Sequence, residues 1–173
     1  TCITLENAPQ FISYQQAVIQ YAGLDPMAAS DEQIKQLGIE LAGADLALNR
    51  DGWLDMIMSH KVEKALPRNQ LVFIYNYPAS QAALSKLNHD EQGQLISERF
   101  EVYLNGLELA NGYHELTDGE EQRARFEKEL VATGRPIDEK LLAAMMDPKA
   151  GLPDCAGVAM GLDRILMLQL GAQ

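Results

Sequence analysis

The chain has 173 residues, of which 47% are hydrophobic and 6% aromatic, so it can bury one core and is most simply a single domain. Its 14 basic and 25 acidic residues give a formal net charge of −11, which opposes general attraction to nucleic acid or to an anionic membrane. No apolar run approaches the roughly 20 residues that span a bilayer, and the first residues lack the basic start of a signal peptide. Cys2 and Cys155 form no CxxC motif, so we expect no disulfide framework, no structural zinc site and a reducing, cytoplasmic setting.

Three helices are predicted in the first third of the chain. The stretch SYQQAVIQYAGL has apolar residues at helical spacing and stops near Gly23. Ser30 and Gln33 form a capping box for DEQIKQLGIELAG. A third helix, roughly GWLDMIMSHKVEKAL, ends before Pro67. Apolar residues in these helices, including Trp53, are interpreted as a packing face.

The pattern changes to strand from Gln70. The run QLVFIYNY is rich in β-formers and closes at Pro78, which predicts a buried strand. The polar stretch SQAALSKLNHDEQGQLIS is predicted to be a loop with a short helix. Further on, Thr117 and Glu120 form a second candidate capping box that starts the helix DGEEQRARFEKELVATG, and IDEKLLAAMMD is another short helix.

A β-hairpin is predicted around Asn105 and Gly106. This dipeptide lies between VYL and LEL and favours a type I′ turn, which needs φ > 0 at both central residues. A two-residue turn fixes the register, and side chains then alternate between a core face and a candidate site face. The predicted cross-strand pairs are Leu104 with Leu107, Tyr103 with Glu108, Val102 with Leu109, and Glu101 with Ala110. The site face then carries Glu101, Tyr103, Glu108 and Ala110.

Two carboxylates on that face, Glu101 and Glu108, are diagonal neighbours. Like charges so placed repel one another unless a cation lies between them, and Mg²⁺ prefers carboxylate and phosphate oxygens. The pattern is equally compatible with two carboxylates that face water or pair with a nearby arginine. The candidate partners are Arg99, Arg123 and Arg125.

A third carboxylate, Glu115, follows Glu108 by seven residues, just as Glu108 follows Glu101. The second Asn-Gly pair, in ANGYHEL, predicts a bulge or turn that would bring Glu115 towards the same face. The adjacent His114 is a candidate base or ligand, although a lone histidine is more often structural or exposed. The absence of an HExxH motif argues against a zinc protease.

The segment AGVAMGLDRILML combines small residues with Arg164 at the predicted start of a helix. Small side chains allow a ligand close to the backbone, and an arginine could clamp a polyphosphate in a bidentate manner. The segment matches neither a Walker A loop nor GxGxxG. Glycines that pack a helix against a sheet would give a similar pattern.

Taken together, GLELANGYHEL and GVAMGLDRILML resemble the C-terminal half of a class II aminoacyl-tRNA synthetase catalytic domain of the lysine type, and the second stretch looks like motif 3. SYQQAVIQYAGLDP, FIYNYPASQAALSKL and GLPDCAGVAMGLDR are most similar to the synthetase-like ligases that modify elongation factor P. The resemblance implies an α+β fold with an antiparallel sheet flanked by helices and a central hairpin. Residues 1–173 would be the C-terminal portion of the catalytic domain, without motifs 1 and 2.

The resemblance also implies roles for seven residues of this sequence. They are ATP binding by Glu108, Leu109, Gly161 and Arg164, metal binding by Glu101 and Glu108, substrate binding by Glu115 and Asn111, and catalysis by Arg164 and Glu108.

The implied chemistry uses ATP and Mg²⁺ to activate lysine or (R)-β-lysine as an aminoacyl-adenylate. The acyl group then passes to a lysine of elongation factor P. A homodimeric parent is implied, and the acidic charge argues against tRNA as a partner. Two alternatives stay open: part of a true lysyl-tRNA synthetase, and a non-catalytic synthetase-like binding module. Retention of a mutually repulsive carboxylate pair argues against the last.

Overall fold

The computed structural model describes residue 5, residues 7–147, residue 149 and residues 151–171; Cys2 lies outside this part of the chain. Its strands are β1 (Gln10–Ser13), β2 (Leu71–Pro78), β3 (Leu87–His89), β4 (Leu95–Leu104), β5 (Leu107–His114) and β6 (Ala156–Met160). They form one sheet in the order β1-β2-β4-β5-β6, with β3 paired to β4. β1 and β2 are parallel, and the other pairs are antiparallel. The predicted α+β class and the central hairpin, β4–β5, are confirmed.

The helices are α1 (Tyr14–Ala22), α2 (Asp31–Ala42), α3 (Arg50–Ile57), α4 (Glu63–Ala65), α5 (Gly119–Thr133), α6 (Glu139–Met145) and α7 (Leu162–Leu170). A π-helical turn, Met58–Val62, joins α3 to α4. The predicted third helix is therefore continuous but contains a wider turn. Such turns occur frequently at functional sites.

The two predicted capping boxes have opposite outcomes. The first is confirmed at α2, where Gln33 N donates to Ser30 Oγ at 3.3 Å and Ser30 N donates to Gln33 Oε1 at 2.9 Å. The second, at Thr117 and Glu120, is wrong because Asp118 is the N-cap of α5. Its carboxylate accepts from two backbone amides at 2.9 and 3.0 Å, and a charged acceptor also interacts favourably with the helix dipole.

Two short strands were not predicted from the sequence. β1 lies in the first third of the chain, where only helices were expected, and β3 lies in the segment expected to be a loop with a short helix. Each is too short, at four and three residues, to show a clear alternation of apolar and polar side chains.

The main apolar core lies between α1, α2, α3 and the sheet. Trp53 is its largest fully buried residue, which confirms the predicted packing face. A Cβ on Gly38 would lie 2.2 Å from the Trp53 ring, so α2 and α3 approach closely only because this position is glycine. None of the described helices is long and apolar enough to cross a membrane.

The other end of the sheet is open. β6 forms its edge, and no residue of α7 is buried in the described part of the chain. Val158 and Met160 on the strand and Leu162 and Leu170 on the helix are exposed. Side chains carried by β6 and α7 at this end are therefore accessible to solvent.

Candidate active site

The hairpin between β4 and β5 has the predicted turn, because Asn105 and Gly106 have φ angles of 57° and 79°. The first two predicted pairs, Leu104 with Leu107 and Tyr103 with Glu108, are confirmed. The turn therefore sets the register of the first pairs.

The next two predicted pairs are wrong. Val102 lies opposite Ala110, and Glu101 lies opposite Asn111, because a bulge at Leu109 shifts the register by one residue. A one-residue shift exchanges the two faces of a strand, so Asn111 takes the place on the site face that was predicted for Ala110. The bulge thus brings a hydrogen-bonding amide to the site.

Glu101 is buried in β4, with 7% of its surface exposed, and its carboxylate is surrounded by donors. Tyr77 donates to Glu101 Oε2 at 2.6 Å, Tyr103 donates to the same oxygen, and Arg99 pairs with Oε1. One predicted alternative, pairing with Arg99, is therefore realised. Burial raises the pKa of both tyrosines, and the charge of Glu101 raises it further.

Glu108 pairs with Arg164, which lies 56 residues further along the chain. Arg164 Nη1 donates to the Glu108 backbone oxygen at 2.7 Å and lies 3.1 Å from Glu108 Oε2. Next to this pair, Gly161 N donates to the Leu109 oxygen at 2.9 Å, which joins the start of α7 to β5. The four residues predicted to bind ATP are thus brought together at the open end of the sheet.

The other arginines considered from the sequence lie elsewhere. Arg123 pairs with Glu139, and Arg125 pairs with Glu121. Each of these pairs links residues within the α5–α6 region, so neither arginine neutralises the site.

A pocket of about 440 Å³ lies between the π-helical turn and the hairpin. It is lined by Glu101 and Glu108 and by two acidic residues that sequence reasoning did not select, Asp55 and Glu63. Burial raises the pKa of Glu63, as does repulsion from Glu101 and Glu108. Burial likewise raises the pKa of Asp55. These residues look like ordinary helix-surface charges in the sequence, so only the tertiary fold reveals them.

Glu115 and Asn111 lie beyond this pocket along β5. Glu115 N donates to the Cys155 oxygen at 2.9 Å, and Ser85 forms an isolated bridge with Glu115. A Cβ on Gly157 would lie 2.3 Å from Glu115 Oε1, so the carboxylate rests directly on the backbone of β6. Asn111 Oδ1 is buried and has no hydrogen-bond partner among the described residues. A buried acceptor in this state favours a ligand that donates a hydrogen bond.

The predicted metal site has two carboxylate ligands, Glu101 and Glu108, which is fewer than a site built from protein ligands alone needs. Among residues 5, 7–147, 149 and 151–171, no group of three or more His, Cys, Asp and Glu side chains could hold a metal ion. Mg²⁺, however, commonly binds one or two carboxylates together with substrate phosphates. Glu108, whose side chain is 34% exposed, fits that requirement. Glu101 already accepts three hydrogen bonds, and a carboxylate has about four lone-pair sites, so it has one site left for a ligand.

The fold and this arrangement agree with a family comparison. The model for class II tRNA synthetases (D, K and N) matches residues 3–173. The chain belongs to the class II tRNA synthetase family.

Two curated relatives carry the same name, elongation factor P–(R)-β-lysine ligase. The protein of Proteus mirabilis is 43% identical over 96% of this chain and 53% of its own length. The protein of Hamiltonella defensa is 42% identical over 100% of this chain and 53% of its own length. The chain therefore spans about half the length of these relatives.

Proposed function

We propose that the protein carrying this chain is an ATP-dependent ligase that activates a lysine-type amino acid and transfers it to a lysine of elongation factor P. The observation that carries the proposal is the arrangement along β5. An arginine–glutamate pair lies at one end, and a buried unpartnered acceptor and a carboxylate lie further along. This order fits two substrates bound side by side: ATP, with its anionic polyphosphate at one end, and a lysine-type amino acid, with its ammonium at the other. The names of the two relatives support the same substrates.

Arg164 and Glu108 hold the polyphosphate end in this proposal. The Glu108 backbone oxygen already orients Arg164. Its remaining N–H groups can therefore donate to phosphate oxygens with little further loss of conformational entropy. Leu109 and Gly161, joined by the hydrogen bond from Gly161 N to the Leu109 oxygen, would lie beside the nucleotide. Glu108 would bind Mg²⁺, with Glu101 as the second carboxylate, and the ion would offset phosphate charge when bound.

Glu115 and Asn111 hold the amine end. The carboxylate of Glu115 would pair with a substrate ammonium, and Asn111 Oδ1 would accept one of its N–H bonds. Three donors, Arg99, Tyr77 and Tyr103, already use most of the acceptor sites of Glu101. The remaining site would serve Mg²⁺, so Glu115 would take the ammonium.

In the proposed reaction the substrate carboxylate attacks the α-phosphorus of ATP, which forms the aminoacyl-adenylate and releases pyrophosphate. The amine of a lysine on elongation factor P then attacks the acyl carbon and releases AMP, forming an amide. Among the described residues, no side chain is an obvious nucleophile for either of these two steps. Catalysis would come from positioning and from stabilisation of charge on the phosphates.

We further propose that the chain is the C-terminal portion of a catalytic domain that contains motif 3. Coverage of 53% of each relative supports a partial match, and the resemblance of GVAMGLDRILML to motif 3 supports the C-terminal assignment. A cytoplasmic setting, a homodimeric parent and the absence of tRNA as a partner complete the proposal. The net charge of −11 supports the last point.

A transfer assay tests the acceptor. The full-length protein is incubated with ATP, labelled (R)-β-lysine or labelled α-lysine, and either elongation factor P or tRNA. We expect label on elongation factor P and none on tRNA. Label from α-lysine on tRNA would instead identify a lysyl-tRNA synthetase, and label on neither acceptor would favour the non-catalytic module.

A further inference from the structure

His114, the last residue of β5, joins two carboxylates from different parts of the chain. Its Nδ1 lies 2.5 Å from Glu98 Oε2 on β4, and its Nε2 lies 2.8 Å from Asp154 Oδ1 in the segment before β6. Lys86 also pairs with Asp154, and its Nζ lies 3.3 Å from His114 Nε2. Glu98 accepts a further hydrogen bond from Asn88 at 2.7 Å.

The contacts of both ring nitrogens with carboxylates favour the protonated form of His114. A neutral imidazole has one N–H group and could donate to only one of the two carboxylates, whereas an imidazolium donates to both. With His114 protonated, the two carboxylates are balanced by the imidazolium and Lys86. The hydrogen bond with Asp154, together with Glu98, raises the pKa of His114. Lys86 and His114 in turn lower the pKa of Asp154.

The segment held by His114 is the one that supports Glu115. Asp154 immediately precedes Cys155, whose backbone oxygen accepts from Glu115 N at 2.9 Å. Two residues further along, Gly157 supports the Glu115 carboxylate. On the other side, the His114 backbone oxygen accepts from Lys86 N at 2.8 Å. Asp154 is otherwise exposed, so among the described contacts its side chain is held by Lys86 and His114.

We propose that His114, as an imidazolium bound to Glu98 and Asp154, is a positioning residue that holds the strand β6 backbone against Glu115 and so fixes the carboxylate that receives the substrate amine. The inference rests on the proposed function, because Glu115 is the substrate residue only in that account. His114 itself does not touch the reacting atoms. When the imidazolium loses its proton, one of the two contacts loses its donor, and affinity for the amine falls.

The kinetic test uses His114→Gln in the full-length protein, with His89→Gln as the matched control on exposed β3. In ATP–pyrophosphate exchange we expect KM for the amino acid to rise about tenfold in His114→Gln, with KM for ATP and kcat changed by less than about twofold. In the wild type, KM for the amino acid should rise as pH passes above the pKa of His114, and this rise should be absent in the variant. An unchanged KM, or an equal change in His89→Gln, would overturn the proposal.

A second measurement separates this inference from the proposed function. Hydrogen exchange at the Glu115 amide reports its bond to the Cys155 oxygen and needs no activity. We expect faster exchange in His114→Gln and in Asp154→Asn, with no change in His89→Gln. Because Asp154 is exposed, Asp154→Asn should fold even if His114→Gln does not. Unchanged hydrogen exchange at the Glu115 amide in both variants would reject the positioning role. A wild-type protein that shows no amino-acid-dependent ATP–pyrophosphate exchange would reject the proposed function alone.

Discussion

Gly157 lies directly beneath the carboxylate of Glu115, so that an added Cβ would come within 2.3 Å of Glu115 Oε1. The strand β6 thus supports Glu115, the residue that immediately follows β5. Its backbone approaches the carboxylate only because position 157 has no side chain.

Gly157→Ala should therefore displace the Glu115 side chain. We expect KM for the amino acid to rise about tenfold or more, with KM for ATP little changed, because only the amine end of the site is disturbed. Steady-state exchange of pyrophosphate with each substrate varied in turn measures both constants. Equal effects on the two constants would mean that the whole sheet edge had moved instead.

The Glu108–Arg164 pair should be required for adenylate formation. Glu108→Gln removes the charge of the proposed metal ligand, and Arg164→Lys replaces a planar fork with a single ammonium. We expect each variant to lose at least about a hundredfold in exchange rate while keeping the wild-type circular dichroism spectrum. Arg123→Lys, on an exposed pair with Glu139, is the control and should keep its activity. Normal activity in Glu108→Gln would contradict the metal assignment.

The hydrogen bonds that Glu101 accepts from its neighbours should contribute to the free energy of unfolding. Tyr103→Phe removes one hydrogen bond from a buried carboxylate, so we expect the free energy of unfolding to fall by about 1–3 kcal/mol. Urea denaturation of the full-length protein measures the change, with the exposed Tyr75→Phe as control, expected within about 0.5 kcal/mol. Equal stability of Tyr103→Phe and wild type would show that the hydroxyl does not support Glu101.

Stability should depend on pH through His114. Its pKa is raised in the folded state, so the folded protein binds the proton more tightly than the unfolded chain. The resulting stabilisation is fully present below the unfolded-state pKa of about 6.5 and is lost as pH rises through the higher folded-state pKa. Wild type should exceed His114→Gln in melting temperature by the larger margin below pH of about 6.5, and the difference should shrink as pH rises through the folded-state pKa. A margin that grows with pH would have the wrong sign.

Whether a structural feature can be predicted from the sequence depends on how far apart along the chain its interacting residues lie. The turn at Asn105 and Gly106 is local, since both residues readily adopt positive φ, and it was predicted correctly together with the first two pairs. A bulge or turn was predicted at Asn111 and Gly112, but these residues pair in register with Glu101 and Phe100, so that position is wrong. The bulge lies at Leu109 and was not predicted there, because both Leu109 and Ala110 are buried and their apolar character does not reveal which one is extra.

Long-range contacts explain the rest. The Glu63 side chain reaches the site through a π-helical turn, and no local pattern indicates that turn. The neighbours of His114 come from three separate segments, so the residue looked isolated in the sequence. The roles predicted for Glu108 and Arg164 came from resemblance to a family and stay predictions, while the structure places Arg164 Nη1 3.1 Å from Glu108 Oε2.

The most direct test of the central claim is ATP–pyrophosphate exchange by the full-length protein, with (R)-β-lysine and α-lysine compared. We expect exchange that depends on the amino acid and favours (R)-β-lysine. Preference for α-lysine would favour the alternative of a true lysyl-tRNA synthetase while leaving Arg164 and Glu108 as an ATP site. Absence of exchange with either amino acid would contradict the claim that this site activates a lysine-type substrate.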